Sequence, residues 1–197
     1  MKTIGLTGGY CSGKNLCAER FEQRGCVVVD VDRLGHKALV EAQSEVLATF
    51  GERILATDGS IDRKALGGIV FGDRKELAKL EAIVHPRMIL ECIRQQERGE
   101  ETGALAVVFN AALLHRMGLD NLCDVVCYVK APFPTRFFRA KQRDGLGLKA
   151  FVSRILSQRD ISADRIQGAS VVYILKNSGD TAFIHRQVDS ICATIGI

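Results

Sequence analysis

The sequence predicts an α/β protein, a mainly parallel five-stranded sheet flanked by helices. Three observations predict it. The apolar run Ile4-Gly5-Leu6-Thr7 leads straight into a glycine-rich loop, Gly8 to Asn15, and a helical pattern follows. A second apolar run, Cys26-Val27-Val28-Val29-Asp30, then completes a strand, loop, helix, strand unit within about thirty residues. From there to the C-terminus apolar runs alternate with helical periodicity, the order that builds parallel strands and places ligands at their carboxyl ends.

Each element has its own warrant. Leu16, Cys17, Phe21 and, less cleanly, Arg20 keep a helical spacing after the loop, and Gly25 is a stop. The continuous apolar character of Cys26 to Asp30 suits a strand buried on both faces. Between Leu34 and Gly99 no strand pattern occurs, which predicts a helical insertion able to cap a substrate, with a long helix over Lys75 to Arg98. Further strands are expected at Ala104 to Phe109, Asp124 to Val129 and near Val171 to Leu175, with helices over Pro132 to Arg143, Leu148 to Gln158 and Ala182 to Ile195. The expected organisation is one domain over residues 1–197: a core of about 1–33, 100–131 and 168–197, the insertion at about 34–99, and a helical lid at about 132–167.

Composition narrows the class. With 197 residues and 47% hydrophobic content there is ample material for one packed core. The first strand begins almost at Met1 and no long apolar stretch is present, so a soluble, unprocessed cytoplasmic protein is expected, with no membrane partner. A formal charge of +4 suits a small anionic ligand, and without a basic stripe it argues against nucleic acid. The seven cysteines are odd in number and lie mostly in apolar segments, as expected of buried reduced thiols. Cys123 and Cys127 have no His or Cys cluster nearby in sequence, which argues against a zinc site.

Gly8 to Asn15 follows the phosphate-binding pattern G-x-x-x-x-G-K-S/T up to its last position, where Asn15 stands in place of the hydroxyl that normally meets the Mg²⁺ of a bound nucleotide. Glycines let consecutive N–H groups point inward at phosphate oxygens, Lys14 adds a mobile positive charge, and the following helix contributes its N-terminal dipole. The loop thus names Gly9, Tyr10, Cys11, Ser12, Gly13, Lys14 and Asn15 as a site for a nucleoside triphosphate, with Asn15 the candidate metal contact.

Two further groups suit phosphoryl chemistry. Asp30 and Asp32 end the second strand, where an acceptor hydroxyl needs an oriented base; Asp32 is the candidate, and a helix cap is the other reading of either residue. Arg139 and Arg143 stand four apart on one helical face before the break Asp144-Gly145-Leu146-Gly147, and Arg154 follows it. Such arginines either neutralise transferring phosphoryl oxygens from a mobile helix pair or form a solvated basic face.

At this point the chain resembles the dephospho-CoA kinase family of P-loop kinases over nearly its whole length. The resemblance is carried by Gly5-Leu6-Thr7-Gly8-Gly9 with Ser12-Gly13-Lys14, by Val29-Asp30-Val31-Asp32, and by Phe50-Gly51, Asp58-Gly59-Ser60-Ile61-Asp62-Arg63, Leu66, Val70-Phe71, Leu80-Glu81 and His85-Pro86. Arg139, Arg143-Asp144-Gly145, Arg154 and Gln158 resemble its lid, and Asn177-Ser178-Gly179 the segment beside the ATP adenine. The resemblance implies a P-loop kinase fold with a helical CoA-binding insertion, and transfer of the ATP γ-phosphoryl to the 3′-hydroxyl of dephospho-CoA, the last step of coenzyme A biosynthesis. It implies ATP as co-substrate and Mg²⁺ between its phosphates. Lys14, Asp32, Arg139 and Arg143 would be catalytic. Asn177 would join the ATP site, and Thr7, Asp32, Arg63, Leu66, His85 and Asn110 would serve the acceptor. A monomer or small homo-oligomer is expected.

Departures cluster at the chemistry. Asn15 replaces the hydroxyl, Cys11 a glycine, and after the third strand Asn110, Ala112 and Arg116 stand where the family pattern has an acid, a proline and a glutamate; Gly168 to Tyr173 lacks the usual Ala-Asp. The two amides either weaken the hold on Mg²⁺ or compensate one another. A kinase for another small hydroxyl acceptor, such as a nucleoside or nucleotide, and a weakened module that only binds ATP or CoA are the alternative readings.

Overall fold

A computed structural model describes residues 1–158 and 161–197; the expected lid span includes the two residues outside this description. The chain divides into two compact units, one of Met1–Asp30 with Gln95–Ile197 and one of Val31–Arg94.

The larger unit is built on the strands the apolar runs predict: β1 (Lys2–Thr7), β2 (Val27–Asp30), β3 (Ala106–Asn110), β4 (Val125–Lys130) and β5 (Val171–Lys176). All pairs are parallel, in the order β2-β3-β1-β4-β5. Every residue of β3 is buried, which explains its unbroken apolar run. The register brings Leu6 beside both Asn110 and Cys127, and Asp30 beside Asn110, so the carboxyl ends of β1, β2 and β3 finish level. That is where the chain leaves β1 as the glycine-rich loop.

Helices α1 (Lys14–Gln23) and α8 (Thr181–Ile195) pack against this sheet. Cys17, Ala18 and Phe21 are the buried face of α1, whereas Leu16 is only partly buried. Arg20, the poorest fit to an apolar stripe, instead donates through Nε and Nη2 to the two carboxylate oxygens of Asp189, at 2.9 and 2.8 Å, and ties α1 to α8. Asp180 caps α8 by accepting from Ala182 N. Helices α6 (Phe133–Asp144) and α7 (Leu148–Ser157) flank Gly145, which closes α6 in the left-handed region. The ring of Phe151, fully buried, meets those of Phe133, Phe137 and Tyr10.

The smaller unit is helical, with α2 (Val31–Glu41), α3 (Gln43–Phe50), α4 (Arg63–Val70) and the start of α5 (Arg74–Glu101). Its core is Ala42, Val46, Phe50, Ile54, Leu66 and Val70. The Asp58-Gly59-Ser60-Ile61-Asp62-Arg63 motif is a turn and a cap: Asp58 Oδ1 accepts from the N–H and hydroxyl of Ser60, and Asp62 Oδ1 accepts from Lys64 N and Ala65 N. Arg63 therefore opens α4.

All seven cysteines are free thiols, six of them buried. Burial pushes the Cys17 and Cys92 thiols up to about 12, away from the reactive thiolate. Among the described residues no helix is long and apolar enough to cross a membrane.

Gly5, at the middle of the sheet, has no room for a side chain: a Cβ there would lie 2.5 Å from Leu114 Cδ2, 2.9 Å from Val126 Cγ2 and 3.1 Å from Cys123 Sγ. Gly5→Ala is expected to cost about 1–3 kcal/mol through overpacking, read as a lower urea midpoint. An unchanged midpoint would contradict this packing.

Candidate active site

The loop between β1 and α1 is held by its carbonyl groups. Arg136 Nε donates to Tyr10 O at 2.8 Å, and Arg139 Nη1 donates to Ser12 O at 3.2 Å and Cys11 O at 3.5 Å. Asn177 Nδ2 also donates to Ser12 O, at 3.0 Å, and its Oδ1 accepts from Arg139 Nη2 at 2.9 Å. Peptide groups are planar and trans, so a carbonyl turned toward these side chains turns the next N–H the opposite way. The N–H groups of Cys11 and Gly13 are thereby aimed away from the arginines, as an anion cradle requires. Gly13 takes φ 93°, and a Cβ there would collide with the Asn177 amide. Cys11 takes φ 56°, the left-handed region that favours the glycine whose place it occupies. Lys14 follows as the first residue of α1.

A second set of contacts fastens Tyr10 to α6 and α7. Its N–H donates to Gln158 Oε1 at 2.8 Å. Its hydroxyl donates to Asp144 Oδ2 and accepts from Arg154 Nη1 at 2.9 Å. The guanidinium carbons of Arg143 and Arg154 lie 5.3 and 5.0 Å from its ring centroid. Arg143 grips Asp144 with two bonds, Nε to Oδ1 at 3.0 Å and Nη2 to Oδ2 at 2.9 Å. Chiefly because of Arg143, then of Tyr10, the Asp144 carboxyl is held down at about 2. Burial, and next the Asp144 acceptor, push the Tyr10 phenol up. Burial lowers the Arg136 guanidinium from its ordinary value.

At the ends of β1 and β3, Thr7 is buried and its hydroxyl donates to Ala112 O at 3.1 Å. Asn110 Nδ2 donates to Asn15 Oδ1 at 3.3 Å. Asn110 Oδ1 and the Ser12 hydroxyl are buried without a hydrogen-bond partner. Asn15 is exposed and its amide oxygen is a hard donor without negative charge, whereas Asn110 turns its N–H toward it and keeps its own oxygen buried, so the two amides do not form a two-oxygen set for a magnesium ion.

The remaining expected residues belong to the smaller unit. Asp32 lies in the first turn of α2, two residues beyond the end of β2. Arg63 begins α4, Leu66 is buried in that unit's apolar cluster, and His85 is half-buried on α5 beside Pro86. Arg136 is a site residue the sequence reading passed over. It stands three before Arg139 and seven before Arg143, the spacing that shares one helical face.

The family profile of dephospho-CoA kinase matches residues 2–182 of the chain. A dephospho-CoA kinase of Shouchella clausii is 36% identical over 188 residues, covering 94% of this chain and 94% of its own. Among solved structures, a protein from Thermus thermophilus is similar with a TM-score of 0.81 at 28% identity, over 98% of this chain and 97% of its own. A dephospho-CoA kinase from Campylobacter jejuni is similar with a TM-score of 0.62 at 25% identity, also over 98% and 97%.

The Tyr10 cluster has a pH signature. Because the folded Asp144 carboxyl lies at about 2, below its ordinary value of about 4, its contribution is complete above pH 4 and is lost as pH falls toward 2. A carbon NMR titration of Asp144 should show a midpoint near 2, moving up toward the ordinary value in Arg143→Ala and part of the way in Tyr10→Phe. An ordinary midpoint in the unaltered protein would refute the bidentate contact.

Proposed function

The chain belongs to the dephospho-CoA kinase family, and from that premise we propose how its residues divide the work. The protein transfers the γ-phosphoryl of ATP to the 3′-hydroxyl of dephospho-CoA, giving CoA and ADP. The observation that supports a working donor site is the loop itself, whose Tyr10, Cys11 and Ser12 carbonyls are turned toward Arg136, Arg139 and Asn177.

The N–H groups of Cys11 and Gly13, turned away from the arginines, bind the phosphate chain, and Lys14 carries positive charge to its β and γ groups. Asn177 holds the loop from its carbonyl side, through Ser12 O, and serves the ATP site by fixing that loop. Asp32 orients the acceptor hydroxyl and takes its proton as the new O–P bond forms. Arg139 and Arg143 offset the charge that spreads onto the transferring oxygens. Helices α6 and α7 act as the lid that brings them there. Arg63, His85, Thr7 and Asn110 serve the acceptor, and Leu66, buried in its apolar cluster, contributes only by holding α4 in place. Mg²⁺, when bound, would neutralise and orient the nucleotide phosphates, and Asn15 is the residue that would hold it.

Incubation with ATP, Mg²⁺ and dephospho-CoA should yield CoA and ADP in equal amounts, with Lys14→Ala as the blank. CoA no higher than that blank refutes the reading. ADP formed only with nucleoside acceptors indicates another kinase, and tight ATP binding without ADP a binding module. Asp32→Asn should lower kcat by about 10²–10⁴-fold with little change in KM for ATP, in steady-state assays. A change confined to KM would remove Asp32 from the base role.

A further inference from the structure

Each polar group of Tyr10 is engaged by the segment from Arg136 to Gln158. Its N–H donates to Gln158 Oε1 and its carbonyl accepts from Arg136 Nε, both at 2.8 Å. Its hydroxyl donates to Asp144 at the end of α6 and accepts from Arg154 Nη1 of α7 at 2.9 Å, so one oxygen joins two helices across the break at Gly145.

The side chains of Arg143 and Arg154 are 61% and 55% exposed. Arginines placed so openly sweep through many rotamers, and holding one in a single place carries an entropic cost. Here both guanidinium groups flank the Tyr10 ring, their carbons 5.3 and 5.0 Å from its centroid. The Arg143–Asp144 contact joins consecutive residues, so by itself it turns with the end of α6 and fixes neither residue relative to the loop. Asp144 Oδ2 lies 3.8 Å from Arg154 Nη1, beyond hydrogen-bond distance, and the phenol oxygen, in contact with both, supplies the bond. The hydroxyl contacts span 134 and 144 positions and therefore tie the arginines to the loop itself. Arg143 uses Nε and Nη2 on Asp144, which leaves its Nη1 edge for an anion.

We propose that Tyr10 is a positioning residue, whose phenol fixes where Arg143 and Arg154 stand beside the phosphate-binding loop before a nucleotide arrives. This rests on the phosphoryl-transfer reading of the site. Tyr10 makes no bond to the transferring group and acts through the two arginines.

Tyr10→Phe isolates the hydroxyl. Phenylalanine keeps the ring beside Phe151, and the bonds to Gln158 and Arg136 are made by the backbone, so the loop keeps its anchors. Without nucleotide, nitrogen-15 relaxation of the Arg154 Nε–H is expected to show an ordered group in the unaltered protein and a freer one in Tyr10→Phe. Equal order in the two proteins overturns the proposal. In steady-state assays with ATP, Mg²⁺ and dephospho-CoA, Tyr10→Phe should lower kcat at least about fivefold. In a protein already carrying Arg143→Ala and Arg154→Ala, the same change should cost less than about threefold, because nothing remains to be positioned. A weaker loss in the first case, or a larger one in the second, overturns the proposal. So does a gain in kcat, which would make the phenol a latch that holds the arginines away. If the unaltered protein forms no CoA, the phosphoryl-transfer reading falls by itself, and the relaxation comparison still decides whether Tyr10 orders the arginines.

Discussion

The anchoring of three consecutive loop carbonyls is the constraint on which the donor site depends. Tyr10, Cys11 and Ser12 give their oxygens to Arg136, Arg139 and Asn177, and the rigidity of the peptide unit does the rest. A glycine-rich loop left to itself has many conformations, and ordering one costs about 1–2 kcal/mol per residue. Here α6 and the residue following β5 impose that order from outside. The core beneath, from Ile4 and Leu6 to Leu175 and Ile184, holds β1, β4 and β5 in register so that the donors arrive at the right height.

Much of the fold is legible in the sequence because the strands are short apolar runs and α1 and α6 carry their own stops. The five strands fall within two residues of the apolar runs, and Gly25 and Gly145 stand just past the ends of α1 and α6. Arg20 shows the limit of reading periodicity by hydrophobicity. Its place on the inner side of α1 is set by Asp189, 169 positions away, which no local pattern reveals.

The site is legible in proportion to how local it is. The loop announces itself because its residues are consecutive. The shared face of Arg139 and Arg143 is visible at helical spacing, and Arg136 could have been found by extending it one turn. The Tyr10 side chain could not, since its partners Asp144 and Arg154 lie 134 and 144 positions off. In the smaller unit the residues that make the family pattern recognisable, Asp58 to Arg63, prove to be a turn and a helix cap, so that a motif read for function is maintained locally by backbone needs.

The cluster around Tyr10 also has an electrical balance sheet. Two guanidinium groups, of Arg143 and Arg154, face a single carboxylate, Asp144, about a neutral ring. One positive charge is left over there, and because carbonyls carry no net charge the Arg136 and Arg139 guanidinium groups that hold the loop add to it. The surplus is fixed in place by the fold, with Asp144 as its resident counter-ion.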